Sequence, residues 1–127
     1  METTLNLNLA VTDEDIDDIM CSFVEGGVAC MWVSSVEPSE GAWKTDYPSE
    51  HVGHGGTMIL KCEKGKFVIS KNTVISGLRQ YLEKSLNVKA IVRGDRNNAL
   101  SLDTGYLDAD AADSIIQYGL FGEIVYS

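Results

Sequence analysis

The sequence lacks several features that would assign a class of protein directly. In its 127 residues, no apolar run approaches the roughly 18–20 residues that a membrane-spanning helix needs. The residues Met1–Thr4 have neither the basic start nor the apolar region of a signal peptide. The cysteines number only 3 and form no C-x-x-C pair, which argues against a disulfide framework and predicts reduced thiols. We therefore expect a cytoplasmic protein without a membrane partner.

Positive charge is scarce in the first part of the chain. Residues 1–50 contain eleven acidic residues and a single lysine, Lys44, so their net charge is −10, whereas the whole chain carries −9. Residues 51–127 contain nine basic and eight acidic residues and are nearly neutral. A field of this kind repels nucleic acid and favours basic surfaces, including those of nucleic-acid-binding proteins. Direct binding of nucleic acid is therefore not expected, although solubility alone would also account for an acidic surface.

Three segments contain the clearest local signals. Leu5, Leu7, Leu9 and Val11 alternate with smaller or polar residues, which predicts a half-buried strand. A helix then starts at the N-cap Thr12, carries acids in its first turn and ends at Gly26-Gly27. Near the end of the chain, Asp108 is the predicted N-cap of an apolar helix, Gly122 its C′ residue and Ile124–Tyr126 a last strand that pairs within the sheet.

The remaining segments complete the predicted order of elements. We expect strands at 28–36, 57–63, 66–70, 88–92 and 99–102, and a middle helix capped by Ser70 or Asn72 with Val74, Ile75, Leu78 and Leu82 turned inward. Strands and helices neither alternate regularly nor separate fully. The prediction is one α+β domain over residues 1–127, a mainly antiparallel sheet with about three helices packed on it.

The first helix contains the first candidate site. Its acidic residues could imitate the phosphates of a nucleic acid and bind a basic protein partner. A solvated helix face would explain the same density of charge. The candidate residues for protein binding are Asp13, Glu14, Asp15, Asp17 and Asp18.

A second candidate site lies in the loop 37–56, which is long for a compact domain and is therefore a candidate for function. Aromatic rings could stack on a base, glycine N–H groups could bind an anion, and arginines could meet a phosphate. The candidate ligand-binding residues are Trp43, Tyr47, His51, His54, Gly55, Gly56, Arg93 and Arg96. The other interpretation is an irregular loop with buried aromatic residues.

Two catalytic hypotheses are weaker. His51 and His54, with Cys30 and Cys62, could hold zinc, but no paired cysteines support such a site. Cys30 or Cys62 with a histidine could act as a nucleophile and base, although buried cysteines usually serve as small apolar residues. We therefore predict a non-enzymatic protein without metal or cofactor.

Four segments, in this order, resemble a family of proteins: D-E-D-I-D-D-I-M at 13–20, E-G-G at 25–27, G-G-T at 55–57 and I-I-Q-Y-G-L-F-G-E-I-V-Y at 115–126. The family consists of small proteins, with no activity to transfer, that phages, prophages and integrative elements of Gram-positive gut bacteria carry. Val28-Ala29-Cys30-Met31-Trp32 departs from the family's aromatic run, and 84–102 matches poorly.

The resemblance implies an accessory protein of a mobile element in a bacterial cytoplasm, and by analogy a counter-defence factor. The leading hypothesis is inhibition of an antiviral defence system, as anti-CRISPR proteins do, by docking on a basic effector. The alternative is a binding protein that sequesters a nucleotide immune signal in the loop 41–57, and an enzyme is third. Homo-oligomerisation stays open.

Overall fold

The computed structural model describes residues 1–94 and 99–127. Its helices are α1 Asp13–Glu25, α2 Lys71–Ser85 and α3 Ala109–Phe121. Its strands are β1 Leu9–Ala10, β2 Val33–Pro38, β3 Met58–Cys62, β4 Gly65–Ile69, β5 Ile91–Arg93 and β6 Leu100–Leu102. The predicted α+β class, with three helices and mainly antiparallel strand pairing, is confirmed.

The described strands form two small sheets, where the sequence predicted one. In the first, β2, β3 and β4 pair antiparallel in that order, so that Val36 lies opposite Leu60 and Leu60 opposite Phe67. In the second, the order is β1-β6-β5, with β5 antiparallel and β1 parallel to β6. The pattern of the sequence identifies strands, but it contains no signal for which distant strands pair.

The helix ends follow the capping signals of the sequence. Thr12 and Asp15 form a capping box at the start of α1, and Ser70, not Asn72, caps α2. The side chain of Asp108 accepts the N–H of Ala111 at the start of α3. Gly122 ends that helix with a φ of 75°, a conformation in which a residue without a Cβ is unstrained.

Two glycines allow α2 and α3 to pack closely. A Cβ added to Gly77 would overlap the carbonyl oxygen of Ile115, and one added to Gly119 would overlap that of Thr73. Each glycine therefore lies against the backbone of the other helix. This contact accounts for Gly119, which is otherwise unfavourable by about 1 kcal/mol relative to alanine inside a helix.

One hydrophobic core joins the three helices to the two sheets. The inward face of α1 contributes Ile16, Ile19, Met20 and Phe23, each at most 2% exposed. From α3 come Ala112, Ile115 and Ile116, as the periodicity predicted, and from the strands Met58, Leu60 and Ile69. In the part of the chain that the structure describes, no helix is both long and apolar enough to cross a membrane.

The predicted last strand, Ile124–Tyr126, is wrong, because this tail pairs with no described strand. A side chain takes the place of the sheet. The fully buried Gln117 of α3 accepts the N–H groups of Val125 and Tyr126 at 2.9 and 2.8 Å, and it donates to the carbonyl of Tyr126 at 2.8 Å. The Tyr126 ring then stacks on Trp32, with centroids 4.8 Å apart.

The same glutamine completes a buried polar chain. Gln117 also donates to one oxygen of the Asp113 carboxylate at 2.9 Å, and the indole N–H of Trp32 donates to the other at 2.7 Å. Asp113 is 8% exposed. This acid, which the sequence suggested only as a charge near the helix start, thus joins α3 to the segment that precedes β2.

Other predicted boundaries also change. The strand predicted over 4–11 is reduced to Leu9–Ala10, because β6 offers partners only from Leu100 onward, and Leu5 and Leu7 stay 79% and 62% exposed. The strand predicted from residue 28 starts at Val33, after a 3-10 turn at Ala29–Met31. Ile75, predicted to point inward, is 41% exposed.

Candidate functional site

The acids of α1 differ in what they contact. Asp15 belongs to the capping box: its carboxylate accepts the N–H of Thr12 at 2.9 Å, and its own N–H donates to the Thr12 hydroxyl at 3.1 Å. Asp13 pairs with the Lys71 ammonium at 2.7 Å, and the side chain of Asp13 remains 70% exposed. Asp18 accepts the hydroxyl of Thr104 at 2.8 Å and is also exposed.

Asp17 lies where α1 meets the loop that precedes β3. Its carboxylate is in contact with the backbone at Gly53, where a Cβ would overlap Oδ1, and its side chain is only 21% exposed. The atom Oδ1 is buried and has no hydrogen-bond partner among the described residues. The nearest cationic group there is the His54 ring, whose Nδ1 lies 4.0 Å from Oδ1.

The surroundings of Asp17 raise the pKa of its carboxyl group. Burial is the largest cause, His54 opposes it, and the negative charges of Glu50, Asp13 and Asp18 add to it. These charges therefore lie close together although they come from two segments of the chain, α1 and the turn Pro48–Glu50. Glu14 shares their side of the helix at i, i+3 and i, i+4 spacing to Asp17 and Asp18. We call Asp13, Glu14, Asp17, Asp18 and Glu50 the acidic face.

The loop candidate is organised around a buried histidine. His51 is 0% exposed, and its Nδ1 accepts the backbone N–H of Lys44 at 3.0 Å. Because a backbone N–H can only donate, the ring proton is on Nε2, which lies 2.8 Å from Glu40 and 3.0 Å from the carbonyl of Thr57. Both ring nitrogens are thus engaged inside the protein.

Glu40 holds the two ends of this loop together. Its carboxylate accepts from His51 and also from the N–H and hydroxyl of Thr57, at 3.1 and 3.2 Å. The hydrogen bond from His51 is the main reason why the pKa of Glu40 is lowered to about 2. The sequence gave no sign of this role, because a single glutamate in a polar loop has no pattern to distinguish it.

The ligand-binding prediction is met by the structure only in its spatial grouping. Trp43 lies edge-on to His51 with centroids 5.1 Å apart, and Gly56 packs on the same ring. Tyr47 and His54 are exposed, and Gly55 takes a φ of 92° in a turn. The tryptophan and the histidine thus fill the inside of the loop, and a nucleotide site there stays a prediction.

The two arginines of that prediction are not part of this group. Arg93 is exposed on β5, in the other sheet, and no hydrogen bond or ion pair among the described residues links it to the loop. Arg96 lies outside the described residues.

The zinc and thiol hypotheses find no cluster in residues 1–94 and 99–127, where no three His, Cys, Asp or Glu side chains form a metal-binding group. All three cysteines are free. The thiol of Cys30 donates to the Gly27 carbonyl at 2.7 Å, and the sulfur of Cys62 accepts the Tyr126 hydroxyl at 3.7 Å. A hydrogen bond to Glu25 raises the pKa of the Cys21 thiol, which makes that group a poorer nucleophile.

Comparison of the chain with protein-family models, with curated proteins and with solved structures found no significant match.

Proposed function

We propose that the protein is a non-enzymatic binding protein that docks its acidic face on a basic, nucleic-acid-binding partner. The observation that carries the proposal is the buried, unpartnered Oδ1 of Asp17 in the middle of that face. A carboxylate held among three other acids raises the energy of the free protein. A lysine or arginine of a partner would supply the missing hydrogen bond and relieve the repulsion.

The arrangement of the acids supports a surface that is rigid before it binds. The face combines α1 with the turn Pro48–Glu50, which pack against each other across Gly53. Its side chains therefore need little ordering on association, which lowers the entropic cost of binding. A row of carboxylates on a fixed helix also steers a basic partner toward the correct orientation.

The biological setting of the proposal comes from the resemblance to proteins of phages and integrative elements. In that setting the partner is an antiviral effector in the cytoplasm of a bacterial host, whose nucleic-acid-binding surface the acidic face would cover. The protein would then act as an inhibitor that competes with nucleic acid.

The test uses variants that change charge but not the contacts inside the fold. Glu14 and Asp18 are exposed, whereas Asp15 caps the helix and Asp17 is half-buried, so the variant is Glu14→Lys with Asp18→Lys. The matched control is Glu63→Lys with Glu123→Lys, which makes the same change of charge at exposed positions elsewhere.

The assay is phage plaquing on bacterial strains that each carry one nucleic-acid-binding defence effector. We expect the wild type and the control to restore plaquing on at least one strain, and the Glu14/Asp18 variant to lose this effect. With the purified effector, binding should weaken roughly 10-fold or more in the variant and should also weaken as salt is raised. Full inhibition by the variant, or no inhibition of any effector by the wild type, would contradict the proposal.

A further inference from the structure

The segment that leads into β1 has the sequence of a longer strand than the described sheet uses. Leu5, Leu7, Leu9 and Val11 alternate with polar or small residues, yet only Leu9–Ala10 pairs with β6. Leu5 and Leu7 remain 79% and 62% exposed. A period-two apolar pattern that stays in water is unusual in a strand and indicates a missing neighbour.

The outer edge of β1 is free to pair. The carbonyl of Asn8 accepts the N–H of Leu100, so the backbone groups of Asn8 and Ala10 face β6. Because successive residues of a strand direct these groups to opposite sides, the N–H and C=O of Leu9 point to the outer edge. The same alternation gives Leu5 and Leu7 outward-facing groups when the strand is extended toward them.

The side chains of this segment border an apolar groove of about 390 Å³ between β1 and α2. Leu7, Leu9 and Val11 line one side of the groove, and Ile75, Leu78 and Leu82 of α2 line the other. The exposed position of Ile75 is thereby explained, since it belongs to the wall of this groove.

The charges at the sheet edges favour this edge over the others. Among the described strands, β2 carries Glu37 and ends at Pro38, β4 begins between Lys64 and Lys66, and β5 ends at Arg93. Charged residues and proline at an edge discourage pairing with another chain. From Thr3 to Thr12 there is neither a charge nor a proline.

We propose that a second copy of this chain pairs with this edge, and that the two β1 segments lie antiparallel about a two-fold axis at Leu7. In that register Leu7 lies opposite Leu7 of the second copy, and Leu5 lies opposite Leu9 of the second copy. All six leucines then lie on the same face of one continuous six-stranded sheet, and each copy's leucines cover the other's groove.

The segment suits its own copy better than a foreign strand for an electrostatic reason. Two chains of net charge −9 repel each other, so self-association is least costly where the facing surfaces are uncharged. The antiparallel register places only leucines, asparagines and small residues in contact. It also leaves the acidic face, which lies on α1, outside the strand pairing.

The oligomeric state tests the proposal. Native mass spectrometry and sedimentation of the wild type should give a dimer, twice the 13.8 kDa of one chain, that dissociates on dilution. Leu7→Lys places two ammonium groups opposite each other at the axis and should give a monomer. The control is Val68→Lys, which adds the same charge at a 55% exposed position on the β4 edge and should stay dimeric.

A second measurement separates pairing at this edge from other contacts. Hydrogen exchange at the amides of Leu5, Leu7 and Leu9 should slow as the dimer forms and should be fast in Leu7→Lys. A synthetic peptide of residues 3–11 should compete and convert dimer to monomer. A wild type that is monomeric at every concentration, or a dimer that survives Leu7→Lys, would overturn the proposal. A monomer that nevertheless binds the peptide would show that the edge takes a foreign strand instead.

Discussion

Replacement of Gln117 by leucine should release the C-terminal tail and destabilise the whole domain. The leucine has nearly the same volume, so the core stays filled while four hydrogen bonds are lost, three to the tail and one to Asp113. The tail groups can turn to water, and each bond to them is worth about 0.5–1.5 kcal/mol. The buried carboxylate of Asp113 loses one of its two donors, which costs about 1–3 kcal/mol.

The added apolar surface of leucine returns about 1 kcal/mol, so we expect a net loss of about 3 kcal/mol. For a chain of this length that corresponds to a melting temperature about 10 °C lower. The control is Gln80→Leu on α2, where the amide donates to the carbonyls of Ser76 and Tyr118 and the side chain is half-buried. Its loss should be no more than about 1 kcal/mol.

Thermal unfolding followed by tryptophan fluorescence measures both variants, because Trp32 stacks on Tyr126 and reports release of the tail. A chain truncated after Glu123 should lose about as much stability as Gln117→Leu, and the two changes together little more than either alone. A melting temperature within about 2 °C of the wild type for Gln117→Leu would refute the reasoning.

Two further predictions concern other parts of the fold. Glu40→Gln should lower the melting temperature most at neutral pH; because the pKa of Glu40 is lowered from 4.5 to about 2, its stabilising effect is complete above pH 4.5 and is lost as the pH falls toward 2, so wild-type and variant melting curves recorded across this range should converge. Gly77→Ala should cost about 1–3 kcal/mol in urea unfolding, despite the better helix propensity of alanine, because its Cβ would overlap the carbonyl of Ile115, and an unchanged or higher stability would contradict the close packing of α2 and α3.

The features that the sequence predicted correctly are those set by neighbouring residues. The caps at Thr12, Ser70 and Asp108 and the end at Gly122 each depend on contacts within four residues, and all four are present. The hairpin of β3 and β4 around Gly65 is equally local. Such signals are visible in the order of residues alone.

The features that the sequence did not predict depend on distant residues. Ile124–Tyr126 has the composition of a strand, but Gln117 satisfies its backbone from the side of a helix. A glutamine among the isoleucines of an apolar helix face was the one available signal. The joining of Glu50 to the acids of α1 likewise arises from the packing of the loop on the helix across Gly53, which no periodicity encodes.

The bond between Trp32 and Asp113 has a consequence for how the chain folds as it is made. The core of α1 includes Phe23, whose ring lies 6.2 Å from Trp32, and Trp32 in turn packs on Phe121 and Tyr126. The earliest part of the protein is thus completed by nearly the last residues to be synthesised. The first half cannot acquire its native packing while it is still being elongated, so the nascent chain leaves the ribosome with its apolar faces exposed and folds as a unit after release.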